Sequence, residues 1–92
     1  MTYQVIKSFK KTTDAHAAPV QLSTSNVCHR ITIRNYGAED VFLGPSDVTV
    51  ATGFPLLVGE SITLQFSNAN QIYYIHTNTT TVDLRVLIEL EA

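Results

Sequence analysis

The chain has 92 residues, a formal net charge of −2 and one cysteine. That length accounts for a single domain, 1–92, and the lone cysteine excludes an intrachain disulfide. The slightly acidic balance argues against direct contact with nucleic acid, because phosphate neutralisation needs a clustered positive field.

Charged residues make up 15% of the chain, against about 25% in a typical soluble domain. Thr, Ser, Asn and Gln stand in their place, which gives a surface easily desolvated against a protein partner. A globule this small buries only about 60–65% of its unfolded surface. Such domains usually gain stability from disulfides, a metal or association. No Cys/His cluster offers a zinc site, so oligomerisation or docking onto a larger body is the expectation. No run approaches the roughly 18 apolar residues of a membrane helix, and the N-terminus lacks an apolar signal region. These features predict a chain made in a cytoplasm, with no membrane partner.

Residues 1–19 read as an N-terminal arm or edge strand. Val5, Lys7 and Phe9 fall on one face, and Gln4, Ile6, Ser8 and Lys10 on the other, an imperfect alternation. Lys7, Lys10 and Lys11 guard the edge against indiscriminate pairing or meet an acidic neighbour. Pro19 is unsuited to a central strand, and Val20 and Leu22 have the spacing of a short edge piece. An Ala-rich helical turn before Pro19 is the alternative for that connection.

Val27 to Asn35 is the clearest strand. Val27, His29, Ile31 and Ile33 share one face, with Cys28 opposite; a bulge would instead turn Cys28 inward. Asn35-Tyr36-Gly37 turns the chain, with Gly37 free to take positive φ. Val41 to Leu43 follows, with Phe42 on the face opposite Val41 and Leu43. After Gly44-Pro45-Ser46-Asp47 comes a short strand, Val48 to Ala51, broken at Gly53. Ser61 to Phe66 alternates cleanly, Ser67 to Asn70 turns, Ile72 to His76 is an aromatic strand, Asn78 to Thr81 a polar turn, and Val82 to Leu90 the last strand. Period 2 with recurring turn chemistry predicts an all-β fold: a small antiparallel β-sandwich or jelly-roll-like barrel of about seven or eight strands. The predicted core is Ile31, Ile33, Val41, Leu43, Ile62, Leu64, Leu84, Val86 and Ile88.

The chemistry-bearing residues do not gather. His16, His29 and His76 come from separate segments without HxH or HExxH spacing. Cys28 and His29 are adjacent, so on a strand they point to opposite faces and cannot pair as nucleophile and base. The carboxylates are scattered, and the glycines form no phosphate-binding loop. Asn78-Thr79-Thr80 fits a glycosylation sequon and reads as turn chemistry. No catalytic, cofactor-binding or metal residue is assigned, and the chain is read as a non-enzyme. The interface candidates are Tyr3, Phe9, Lys10 and Lys11 on the arm, and Phe42 and Leu87, apolar residues on strand faces that otherwise read as polar.

One resemblance runs through these segments. The pattern that runs from a strand with Cys28 through Ile31-Thr32-Ile33-Arg34-Asn35, Val41-Phe42-Leu43-Gly44, Val48-Thr49, Gly53-Phe54-Pro55-Leu56, Gly59-Glu60-Ser61-Ile62-Thr63-Leu64, Ile72-Tyr73-Tyr74 and Val82-Asp83-Leu84-Arg85-Val86 is similar to small β-sandwich virion proteins of tailed bacteriophages. It covers Val20 to Glu89, and it is diffuse, made of turns and strand cores. For a chain of this length the resemblance implies a capsid decoration, or cement, protein on the outside of the head. Its partner would be the major capsid protein, and its own state a homo-trimer or a dimer. The same resemblance extends to tail and neck components and to receptor- or carbohydrate-binding modules of tail proteins. It carries over no catalytic residue.

Overall fold

The computed structural model describes residues 2–13, 18–76 and 82–91; the expectations placed on His16, on the turn before Pro19 and on Asn78-Thr79-Thr80 fall on or run into residues outside them. Eight strands follow in order: β1 Tyr3–Thr13, β2 Val20–Gln21, β3 Arg30–Asn35, β4 Val41–Gly44, β5 Phe54–Leu56, β6 Ser61–Leu64, β7 Tyr73–Ile75 and β8 Val82–Glu91. A 3₁₀ turn at Ala69–Gln71 is capped by the Asn68 side chain. The strands form two four-stranded sheets, ordered β1-β8-β3-β6 and β2-β7-β4-β5, with every described pairing antiparallel. The expected all-β sandwich is the architecture found.

The core follows from alternation matched across strands. Ile31 stands between Ile88 and Leu64, and Ile33 between Val86 and Ile62, so one face of the first sheet is continuously aliphatic. The second sheet meets it with Val41, Leu43, Leu56 and Tyr74, all buried. Seven of the nine predicted core residues are buried, but Ile62 and Leu64 are only partly so. Both sit on β6, an edge of the first sheet, and the alternation of a strand reports which way a side chain faces, not whether anything covers it.

Three other expectations are corrected. First, β3 starts at Arg30, not Val27: the Cys28 amide donates to Ser67 O, whereas the His29 amide donates to Glu89 O. The chain changes pairing partner between them, so Cys28 turns inward and His29 outward. Second, β1 carries an irregularity between Val5 and Lys7. It leaves Ile6 unpaired and puts Val5 on the outer face beside Tyr3, while Lys7, Phe9 and Lys11 face inward, opposite Ile88, Val86 and Leu84. Third, Val48 to Ala51 is a turn, not a strand. Val48 is buried because this turn folds back over the second sheet: a Cβ on Gly44 would lie 2.6 Å from Val48 Cγ2, and one on Gly53 2.6 Å from Phe42 Cβ. The positive-φ glycine is Gly59 (φ 85°) rather than Gly37.

Two measurements test this packing. Leu84→Ala removes a fully buried side chain and is expected to cost about 2–5 kcal/mol in urea unfolding. Leu64→Ala is expected to cost distinctly less, because β6 is open on one side; equal losses would mean that the edge is sealed. Tyr74 is fully buried, yet its hydroxyl has no hydrogen-bond partner among the described residues, and burial pushes its pKa up to about 12. Tyr74→Phe removes an unsatisfied polar atom, so the thermal midpoint is expected to hold or rise.

Candidate docking face

The outward face of the first sheet carries most of the charge. All six Lys and Arg residues of the chain lie on β1, β3 and β8. Lys10, Arg30, Arg34 and Arg85 point outward, because each pairs with or alternates between residues whose neighbours enter the core.

Two stacked groups frame this face. At one end, Arg30 Nε and Nη2 donate to the two carboxylate oxygens of Glu89 at 3.2 and 2.7 Å, and the guanidinium lies 3.8 Å from the Tyr3 ring centre. At the other, Arg85 donates to both Asp83 oxygens at 2.8 and 3.1 Å and lies 4.5 Å from the ring of Tyr36. Bidentate forks and cation–π contacts fix long side chains that would otherwise be mobile. Both carboxylates are held below their ordinary range, first by the arginine hydrogen bond and then by its charge; Lys10 adds to the effect at Asp83.

Between the frames lies a concavity of about 590 Å³ lined by Lys10, Thr32, Arg34, Ser61 and Leu87, among others. Thr32 and Thr63 hydroxyls meet at 3.0 Å across β3 and β6. Leu87 is 39% exposed on its floor. Lys10 and Arg34 form no salt bridge among the described residues. The result is a shallow positive hollow with an apolar centre and hydroxyl walls, suited to an acidic, polar protein surface.

Of the six interface candidates, this face brings together Tyr3, Lys10 and Leu87. Phe9, partly buried, packs against the core from the inner side of β1, and Lys11 points the same way. Phe42 is on the outer face of the other sheet, beneath the Val48–Gly53 turn. Arg34 and Tyr36 escaped the sequence reading; an Arg-Asn-Tyr run at a strand end gives no sign that a distant Arg85 will share the same ring.

The remaining reactive side chains are built into the fold. The Cys28 thiol donates to Phe66 O at 3.0 Å, and burial pushes its pKa up. His29 Nδ1 accepts the Glu91 amide at 2.9 Å. His76 Nδ1 and Glu39 Oε1 lie 2.9 Å apart in a buried pair, a contact between residues 37 apart that no local pattern announces. Among the described residues, no group of three or more His, Cys, Asp and Glu is gathered to hold a metal. No family model matches the chain, and neither a curated protein nor a solved structure matches it.

Acid sensitivity follows from the two forks. A carboxylate with a depressed pKa stabilises the folded state above the ordinary carboxylate range and loses that contribution as pH falls through its folded value. The thermal midpoint of the wild type is therefore expected to drop on acidification. An Arg30→Gln/Arg85→Gln variant should start lower at neutral pH and fall less steeply. Parallel curves for the two proteins would show that the forks do not couple to folding.

Proposed function

We propose that the chain is a non-catalytic structural protein of a phage particle, a decoration protein that docks on the outside of the head shell through the outer face of its first sheet. The observation that carries the reading is the hollow around Leu87, where Lys10 and Arg34 form no salt bridge among the described residues. A cation without a salt bridge at the rim of an apolar floor is a steering device: it selects an acidic partner surface and orients the approach. What supports the major capsid protein as that partner is the resemblance of the strand and turn segments to phage virion sandwiches.

The physics of decoration suits a small domain. Each copy needs only modest affinity, because an oligomer that engages several shell subunits at once gains effective concentration at every added contact. A surface rich in Thr and Ser, with few charges to desolvate, suits a broad shallow contact.

The test is occupancy on purified particles. Lys10→Glu/Arg34→Glu is expected to lower occupancy at least tenfold with the thermal midpoint little changed, and wild-type binding should weaken as salt rises. Hundreds of wild-type copies per particle would fit the head surface. A dozen or fewer would move the chain to the neck or tail, and the absence of the chain from particles would remove the reading.

A further inference from the structure

The edge of the sandwich formed by β5 and β6 is open. A groove of about 420 Å³ runs between them, lined by Leu43, Phe54, Ile62, Leu64, Phe66 and Ile72. Its rim adds exposed apolar surface, with Phe54 61%, Leu57 44% and Val58 49% accessible. Acidic residues flank it. Asp40 and Glu60 stand at the end where the β5–β6 turn is held, with Asp40 Oδ1 accepting the Val58 amide and Glu60 Oε1 the Leu57 amide. Asp47, exposed, follows Pro45 at the other end. Neither β5 nor β6 contributes a Lys or Arg.

The complementary surface is on the same chain. The arm strand β1 is the opposite edge of the first sheet, with its outer edge unpaired among the described residues. Its eleven residues span about 36 Å at roughly 3.3 Å each, close to the 39 Å long axis of the molecule. It exposes Val5 (54%) and Ile6 (48%), with Phe9 part-buried and Lys7, Lys10 and Lys11 interleaved. Lys7 to Lys11 covers about 13 Å, the length of a four-residue strand such as β6.

We infer that the β5/β6 groove of one copy receives the β1 arm of a second copy. The arm cannot serve its own groove, since β8 and β3 stand between β1 and β6 in the sheet. The contact is therefore intermolecular and joins two different patches. Such head-to-tail contacts close into a ring or run on as a filament, and the expected form is a closed ring. One contact then covers three exposed apolar features: the groove, its Phe54–Val58 rim and the Val5–Ile6 segment. The lysines meet Asp40, Asp47 and Glu60 at its margins. The inference uses this edge, with Lys7 and Lys11, and the head-shell reading uses the outer face of the first sheet, with Lys10.

The experiment is light scattering with size exclusion on the full chain, without particles. The wild type is expected at the mass of a closed oligomer, and Phe54→Asp, an exposed position, at the mass of a monomer with an unchanged circular dichroism spectrum. Lys7→Glu/Lys11→Glu should weaken association at least tenfold, and adding Asp47→Lys/Glu60→Lys in the same chain should restore it. A wild type that stays monomeric at millimolar concentration would overturn the inference. So would a folded Phe54→Asp variant that still associates, or a fourfold variant no better than the twofold one. Particle occupancy, measured separately, can succeed or fail whatever these masses turn out to be.

Discussion

One buried amide ties the two sheets together. Asn35, at the end of β3, has no exposed surface. Its Nδ2 donates to Glu39 O at 2.7 Å and to Leu56 O at 3.0 Å, and its Oδ1 accepts the Gly37 amide at 3.1 Å. Its main chain donates to Glu60 O and accepts from Gly59 N. The side chain thus holds the approach to β4 and the end of β5, while the main chain holds the turn between β5 and β6. Both side-chain amide hydrogens are used and the carbonyl has a donor, so the buried group is satisfied. A Leu of similar size would leave the Glu39 and Leu56 carbonyls and the Gly37 amide without that partner. The left-handed Gly59 is what lets the β5–β6 turn come round to meet Asn35.

From this anchor the asymmetry of the molecule follows. Around Asn35 the two sheets are pinned through Glu39, Leu56 and Glu60, and the buried His76–Glu39 pair lies at the approach to the same β4 strand. Further along β5 and β6 nothing described ties the two edges to each other, and there the groove opens onto Ile62 and Leu64. A small sandwich cannot seal every side of its core, because surface outruns volume at this size. The unsealed side lies on an edge strand, as does the arm β1, the other part of the sandwich that exposes aliphatic residues in sequence. Apolar edges are a liability unless a partner covers them.

How much of this is legible in the sequence depends on the range of the signal. The strand cores of β3 and β8 read directly, since Ile31, Ile33, Leu84, Val86 and Ile88 obey a two-residue period that backbone geometry enforces. The inversion at Cys28 and His29 does not, because it arises where the chain leaves one pairing partner for another. The irregularity at Ile6 is of the same kind: one extra residue reverses the face of Val5, and pattern alone cannot say which residue is extra. Asn35 reads as a turn residue by composition, and its role as a tie appears only when residues 39 and 56 are brought beside it. Val48 reads as a strand residue by propensity, yet its burial comes from a turn folding over Gly44. For the docking face, Tyr3, Lys10 and Leu87 are visible as departures from pattern. Arg34 and Tyr36 are not, because their significance lies in the cross-strand neighbour Arg85.

The segregation of charge gives the molecule a direction. With every Lys and Arg on β1, β3 and β8, the outer face and arm edge of the first sheet are positive. The β5–β6 side of the sandwich is negative, with Asp40 and Glu60 at one end of it and Asp47 at the other. Over the dimensions of 39 × 23 × 19 Å these fields are largely screened, since the Debye length at physiological salt is about 8 Å, so they act where two surfaces come close. Identical dipolar objects attract end to tail and repel when like faces meet. Pairing of arm with arm would oppose lysines to lysines, which is the protection that edge lysines provide. Pairing of arm with groove would oppose lysines to carboxylates. The same three lysines therefore act against one association and for another. The electrostatics that keep the edge from indiscriminate pairing also specify which surface it can accept.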